Sequence, residues 1–410
     1  MLSPNHPSGS AVQTPSLIPQ TSQPEASAFM ADRALAILKD PKELALTLAC
    51  QVGPGSKPEE NSVLAPAVIG PVASLAVLDK TQGTQSAVLC SLFQDPNPLS
   101  LLTRRVEKAL EGTGQKYAHL TSVLVRDASK SVVEEHYRQH GIDQEVVSLT
   151  PAAVAAENRR ITEVTNGTIQ GSLQTDSRAI FALVDAQYLK LKWAFPFDYA
   201  DTKREIFTSA SGQKRPVSTM SQRFSGDRGD KVYFTRSIGL QAVRLPYVSA
   251  ANAQQQLSML VVMKTDASLT QPGKAEVEKA IEQLEPTEPG TNIELFLPEF
   301  RIKQKTDLLH TFQHLGIREA LTQDQEKLPG ASISAFTQEC LLQIDELGTE
   351  AAAVSLMEID EGLRWNPSPR YLLKFDRPFS VFVCLEDKAG GHTPRPEDFL
   401  FAAHVNRLPA

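Results

Sequence analysis

Two spacings of apolar residues run through this chain. Near the start, Phe29–Lys39 and Lys42–Gln51 have helical spacing, with Leu44, Leu48 and Cys50 on one broad face. Asn61–Pro66 reads as a short strand and Ala67–Leu78 as a buried helix. Leu101–Glu111 is an amphipathic helix, Tyr117–Val125 a strand, and Val132–His140 and Pro151–Val164 are further helices. Ala179–Trp193 is continuously apolar and then alternates, as a central strand should. Strands follow at Leu240–Tyr247, Leu257–Met263 and Glu294–Ile302, and then a helix from Asp307 to Ile317. This mixture of helices and strands predicts an α+β fold.

The stretch Glu346–Glu361 is the most informative. Its Ala351–Ala353 triplet suits a helix, but its alternation is that of a strand. Thr349, Ala351, Ala353, Ser355, Met357 and Ile359 form one set, small at first and then apolar. Glu350, Glu358 and Asp360 fall on the other. Gly362, Pro367 and Pro369 then break regular structure and mark an exposed loop. The segment is patterned for burial at one end and for exposure at the other.

Composition adds limits. The chain has 410 residues, 22% charged and 41% hydrophobic, with a net charge of −7, which argues against a general affinity for nucleic acid. No apolar run approaches the roughly 18–20 residues of a membrane span. Met1 to about Ser27 is rich in Pro, Ser, Gln and Thr and has neither the basic nor the apolar region of a secretory signal. It reads as a disordered tail, and residues 1–40 as an extension containing one short helix. Cys50, Cys90, Cys340 and Cys384 are far apart, with no CxxC pair. Buried free thiols and a cytoplasmic setting are expected.

Candidate chemistry is sparse. There is no GxSxG, HExxH, GxGxxG or Walker motif. His136 and His140 lie one helical turn apart beside Glu135, but with no third ligand in view they read as a surface pair. No metal and no cofactor is expected. Arg104, Arg105 and Lys108 are diluted by Glu107 and Glu111 and read as a solvated face.

Several ordered motifs carry a resemblance. Glu346, then Gly348-Thr-Glu350 and a run of small residues to Ser355, is similar to the reactive-loop hinge of the serpins. Asn61–Pro66, the Thr165-Asn-Gly167 helix end, Lys190-Leu-Lys-Trp193, Val217–Gln222, Phe375–Phe379 and Phe399–Asn406 resemble further serpin elements in the family's order. The resemblance covers about Pro41 to the C-terminus and implies one domain, residues 41–410. It implies a serpin fold: a large central mixed β-sheet, further β-sheets, about eight or nine helices and an exposed reactive-centre loop at about 346–374.

The same resemblance implies a function. The loop would be held outside a five-stranded sheet until a target protease cleaves it and forms an acyl-enzyme. It would then insert as a strand, carrying the protease along. The hinge would be Glu346, Gly348, Thr349, Glu350, Ala351, Ala352, Ala353, Val354 and Ser355. The family's usual spacing places the cut after Gly362. Cleavage after Leu363 would suit a chymotrypsin-like or cysteine protease, and cleavage before Trp365, after Arg364, a trypsin-like one. The shutter positions, where the sheet must part, are Ala65, Val68, Asp185 and Gln338, where the family groups serines, an Asn and a His. Trp193 keeps its place near the top of the strand. Asp185 there needs a partner, which Gln338 can supply. The implied protein is a monomer whose partner is the target protease; the alternative is a non-inhibitory carrier, chaperone or interaction module.

Overall fold

A computed structural model of the chain describes residues 33–50, 59–77, 85–92, 97–171, 180–321, 333–349, 371–388 and 394–409. The N-terminal tail, Glu350–Ser355 and the four scissile-bond residues Gly362, Leu363, Arg364 and Trp365 lie outside them. Eight α-helices are described, besides helical residues 33–38, together with three β-sheets.

The central sheet contains β1 (Lys116–Val125), β2 (Val146–Ser148), β3 (Phe181–Lys192), β4 (Phe300–Asp307), β5 (Ile333–Asp345) and β6 (Gly348–Thr349). Their order is β4-β5-β6-β3-β1-β2. β3 and β5 are parallel and pair directly from Phe181–Ile333 to Gln187–Cys340. Beyond that point they part. β3 is buried along almost its whole length, in keeping with its continuous apolar pattern.

One face of the central sheet shares the main core with a seven-stranded sheet, through Leu183, Leu189, Leu191 and Leu342 against Val243, Val261, Val381 and Phe401. The other face meets helix Pro151–Val164, where Val154 and Ile161 pack on Leu124, Val184, Ala186 and Leu341. That helix begins where the Thr150 hydroxyl accepts the Ala153 amide and Pro151 fits the first turn. It ends at Asn166 and Gly167, both at positive φ. Helices Pro41–Cys50 and Lys274–Glu282 contribute Leu46, Ala49, Val277 and Ala280 to a core on the outer face of the seven-stranded sheet. A four-stranded sheet completes the fold, in the order Tyr371–Lys374, Asn292–Pro298, Lys214–Ser225, Lys203–Thr208.

Three expectations are corrected. Glu294–Ile302 is two strands: Asn292–Pro298 ends in the four-stranded sheet and β4 begins in the central one, with Glu299 at the corner. The buried positions are odd-numbered up to Leu297 and even-numbered from Pro298 on, so the alternation changes phase at the corner, and Pro298 is the signal of a break. The Phe375–Phe379 stretch, which resembles the start of a closing strand of the family's second sheet, is strand only from Phe379, and the residues before it form the turn after Tyr371–Lys374. The third correction concerns the loop root. It is not wholly outside the sheet, because Gly348–Thr349 already forms a sixth strand.

Candidate functional site: the loop root and the cleft between two strands

β5 turns back on itself through Glu346 and Leu347, and Asp345 pairs with Gly348 across this tight hairpin. The Asp345 carboxylate holds the turn, its Oδ1 accepting the Leu347 amide at 3.0 Å and the Gly348 amide at 3.2 Å. Gly348 has φ +150°, and a Cβ there would lie 2.0 Å from the Leu191 carbonyl oxygen. Only glycine fits so close to a neighbouring backbone. The returning strand lies between two others: Gly348 pairs with Asp345 and Lys192, and Thr349 with Ile344 and Leu191. β3 and β5 keep the same stagger here as in their direct pairing lower down.

Aromatic residues close the top of this cleft. The Trp193 ring stacks on Tyr247 at 4.6 Å and donates its Nε1–H to the Asp345 carbonyl at 2.9 Å. The Trp193 amide donates to Leu347 O, and the Phe197 amide to Glu346 O. Thr349 is buried, its hydroxyl 2.7 Å from the Tyr247 hydroxyl. Burial pushes the Tyr247 phenol well above its usual range, so it stays neutral and able to donate.

The Glu346 side chain is 3% exposed and accepts the Thr202 hydroxyl at 2.6 Å. The carboxyl of Glu299, at the corner before β4, is raised to about 7, chiefly by burial and then by Glu346. Of the expected hinge residues, Glu346, Gly348 and Thr349 are therefore brought together here.

The shutter positions meet lower in the sheet. Gln338 Nε2 donates to Asp185 Oδ2 at 2.9 Å, and Gln338 Oε1 accepts the Ala65 amide at 2.8 Å. One side chain so links β5, β3 and the chain leading into helix Pro66–Ser74. Val68 is fully buried in the core beside them. Trp193 is not part of this group and belongs to the loop root.

Sequence reasoning missed the main partner of Asp185. His119 Nε2 on β1 lies 2.6 Å from Asp185 Oδ1, and the Thr121 hydroxyl donates to the same oxygen at 3.2 Å. The imidazole N–H, Gln338 and Thr121 supply donors to a carboxylate among apolar side chains. His119 and Thr121 lie two residues apart on a strand, hence on one face, which is the only local signal for them.

The His136 and His140 rings pack against each other at 4.2 Å, and His140 Nδ1 contacts the His136 carbonyl. Among the described residues no group of three or more acidic, His or Cys side chains could hold a metal. Cys340 and Cys384 are buried free thiols, and Cys50 is half-buried and free.

Comparison with known proteins agrees with this geometry. The serpin (serine protease inhibitor) family model matches residues 40–391. Serpin B9 of Homo sapiens is 28% identical over 258 residues, which cover 58% of this chain and 65% of that protein. Serine protease inhibitor 42Dd of Drosophila melanogaster is 27% identical over 255 residues, covering 59% and 63%. The chain thus spans just under two thirds of the length of these two relatives. The solved structure of Serpin48 from the insect Tenebrio molitor superposes with a TM-score of 0.63 over 95% of this chain and 100% of that one. At 17% identity this last likeness speaks for the fold alone.

Proposed function

The chain belongs to the serpin family, and on that premise we propose that it inhibits a protease by inserting its cleaved loop into the central sheet. The observation that carries this reading is the double pairing of Gly348 and Thr349 with β5 and β3. An added strand gains main-chain hydrogen bonds on both sides.

Continuing the same register sets the demands on the loop. Ala351 would fall between Leu342 and Leu189, Ala353 between Cys340 and Gln187, and Ser355 between Gln338 and Asp185. These flanking residues all lie on the core side of the sheet, so small side chains enter without overpacking. Glu350 would meet Lys190 and Gln343 on the opposite, half-exposed side, and Ala352 and Val354 would face helix Pro151–Val164. Insertion beyond Ala352 must separate β3 from β5 and replace the Gln338–Asp185 bond.

The chemistry belongs to the protease. Its serine or cysteine nucleophile adds to a loop carbonyl after Gly362, Leu363 or Arg364. The peptide C–N bond breaks and the amine leaves as a new N-terminus, taking a proton. The acyl bond then tethers the protease to the inserting strand. The inhibitor is not itself a protease, and it needs no cofactor for these steps.

The test is a panel of trypsin-like, chymotrypsin-like and cysteine proteases, scored for complexes that survive denaturation. The wild-type chain should form one with its target. Thr349→Arg, which places a long cation at a buried site, should instead be cleaved and released. Equal activity of the two toward a partner would overturn inhibition by insertion and leave the carrier or interaction role.

A further inference from the structure

The hairpin of Lys203–Thr208 and Lys214–Ser225 lies at one edge of the four-stranded sheet, and among the described residues Lys203–Thr208 pairs with no other strand. This hairpin is bonded to the chain on both sides of the loop. Thr202, the residue before it, donates its hydroxyl to Glu346 at the loop root at 2.6 Å. Beyond the loop, Lys374 pairs with Glu205 at 2.7 Å and the Asp376 carbonyl accepts the Thr208 amide at 2.8 Å. The candidate scissile bonds at 362–365 belong to the segment between these anchors.

Antiparallel register places Arg204 opposite Ser218, Ile206 opposite Pro216 and Thr208 opposite Lys214, so these six side chains share one face. On that face Arg204, Ile206, Lys214 and Pro216 are all exposed, Ile206 by 50%. Lys203 and Arg215, on the other face, are exposed as well. From Lys203 to Pro216 the sequence holds four cations and one acid, in a chain whose net charge is −7. That acid, Glu205, is taken by Lys374. Among the described residues no carboxylate pairs with Lys203, Arg204, Lys214 or Arg215. The Arg215 guanidinium donates to the Gln213 amide oxygen at 3.1 Å, a neutral partner.

A charged rim around an exposed apolar pair has the make-up of a docking surface, whereas cations that only blunt an edge strand need no apolar neighbour. We propose that this hairpin is a second contact for the target protease, receiving an acidic patch beside the protease's own cleft. The loop supplies the bond that is cut. Arg204 and Lys214 steer and hold carboxylates of the partner, and Ile206 and Pro216 bury apolar surface between them. The proposal rests on the protease-inhibitor reading above, but it concerns the encounter before cleavage and not the insertion after it.

The exposed Ile206–Pro216 pair favours a protein partner over a polyanionic chain, which would leave that pair in water. Steering by a few charges raises encounter rates by about 10–10³-fold, and it fades as salt shortens the Debye length to about 3 Å at 1 M. The contact therefore acts on the rate of loop cleavage at low salt. It leaves the later partition between trapped complex and released product unchanged.

The probe is whichever protease of the panel cleaves the loop fastest. Its kcat/KM for the loop is measured on the wild-type chain and on Arg204→Glu/Lys214→Glu, at about 0.01 M and about 1 M salt. The same pair is measured in a Thr349→Arg background, in which the cleaved chain is released. Charge reversal should slow cleavage about tenfold or more at low salt in both backgrounds, with the ratio closing toward one at high salt. Ile206→Ser should slow it several-fold at either salt concentration. Arg204→Gln/Lys214→Gln, which adds no new charge, should fall between wild type and the reversed variant and guards against misfolding of the latter. If wild type and Thr349→Arg both form no trapped complex, inhibition fails, while the contact still stands or falls on the cleavage rates. Rates that ignore charge reversal at low salt would overturn the proposal. Equal rates together with a heparin fragment that binds wild type and not the reversed variant would overturn it too, and would give the patch to a polyanion.

Discussion

The hydroxyls of Tyr247 and Thr349 lie 2.7 Å apart, and both side chains are enclosed. Tyr247 continues a strand of the seven-stranded sheet and bridges to Trp193, whereas Thr349 is the last described residue before the loop. The bond therefore ties the loop root to the second sheet through the core. Tyr247→Phe strands the buried Thr349 hydroxyl and should cost about 1–3 kcal/mol. Denaturant unfolding of the intact chain checks it, and the loop should become more open to limited proteolysis in the same variant.

Gly348 is fitted to its site by close approach. The nearest atom to an added Cβ is the Leu191 carbonyl oxygen, at 2.0 Å, and backbone cannot step aside cheaply. Gly348→Ala should expel the root strand and cost on the order of 1–3 kcal/mol. Amide exchange at Thr349 should then accelerate. Unchanged protection there would mean that the root strand is not held in the way described.

Gln338 joins three segments with one amide. Gln338→Ala removes donors and acceptors from Asp185 and the buried Ala65 amide together, at a cost of about 2–4 kcal/mol. It also removes a bond that insertion must break. The variant should melt earlier when intact yet insert its cleaved loop faster, which calorimetry before and after a timed cleavage separates.

His404 is buried and held as a neutral ring, Nε2–H donating to Ala49 O at 3.0 Å and Nδ1 accepting the Ser380 hydroxyl at 2.7 Å. Burial lowers it from 6.5 to about 4. The unfolded chain then binds more protons between these values, so stability rises with pH across this window. Acidification from 6.5 toward 4 should cost up to ~3 kcal/mol through this one group. His404→Gln should flatten that part of the stability profile.

What was legible in the sequence was what alternation encodes. β3 reads as a central strand because its apolar run has no solvent side, and Thr349 is buried on the face its period-two set requires. The match of Gln338 to Asp185 followed from family order and is now a 2.9 Å bond. What alternation cannot encode is which strand lies alongside. His119 is an unremarkable residue until β1 is laid against β3, and only then does it face Asp185. At Glu299 the sequence does show a break, since the buried set moves from odd to even positions around Pro298, but it does not show that the chain changes sheets there. The partial entry of Gly348–Thr349 was hidden for the same reason, since small residues suit both an inserted strand and a free loop.

The most direct measurement is to nick the loop with a nonspecific protease, map the cut by mass spectrometry, and melt cut and intact protein side by side. If the register of Gly348 and Thr349 continues down the cleft, the cut protein gains a full strand. Its melting temperature should rise far beyond the few degrees that ~1 kcal/mol gives in a chain of this size. An unchanged or lower melting temperature would mean that the cleaved loop stays out of the sheet, and would contradict inhibition by insertion.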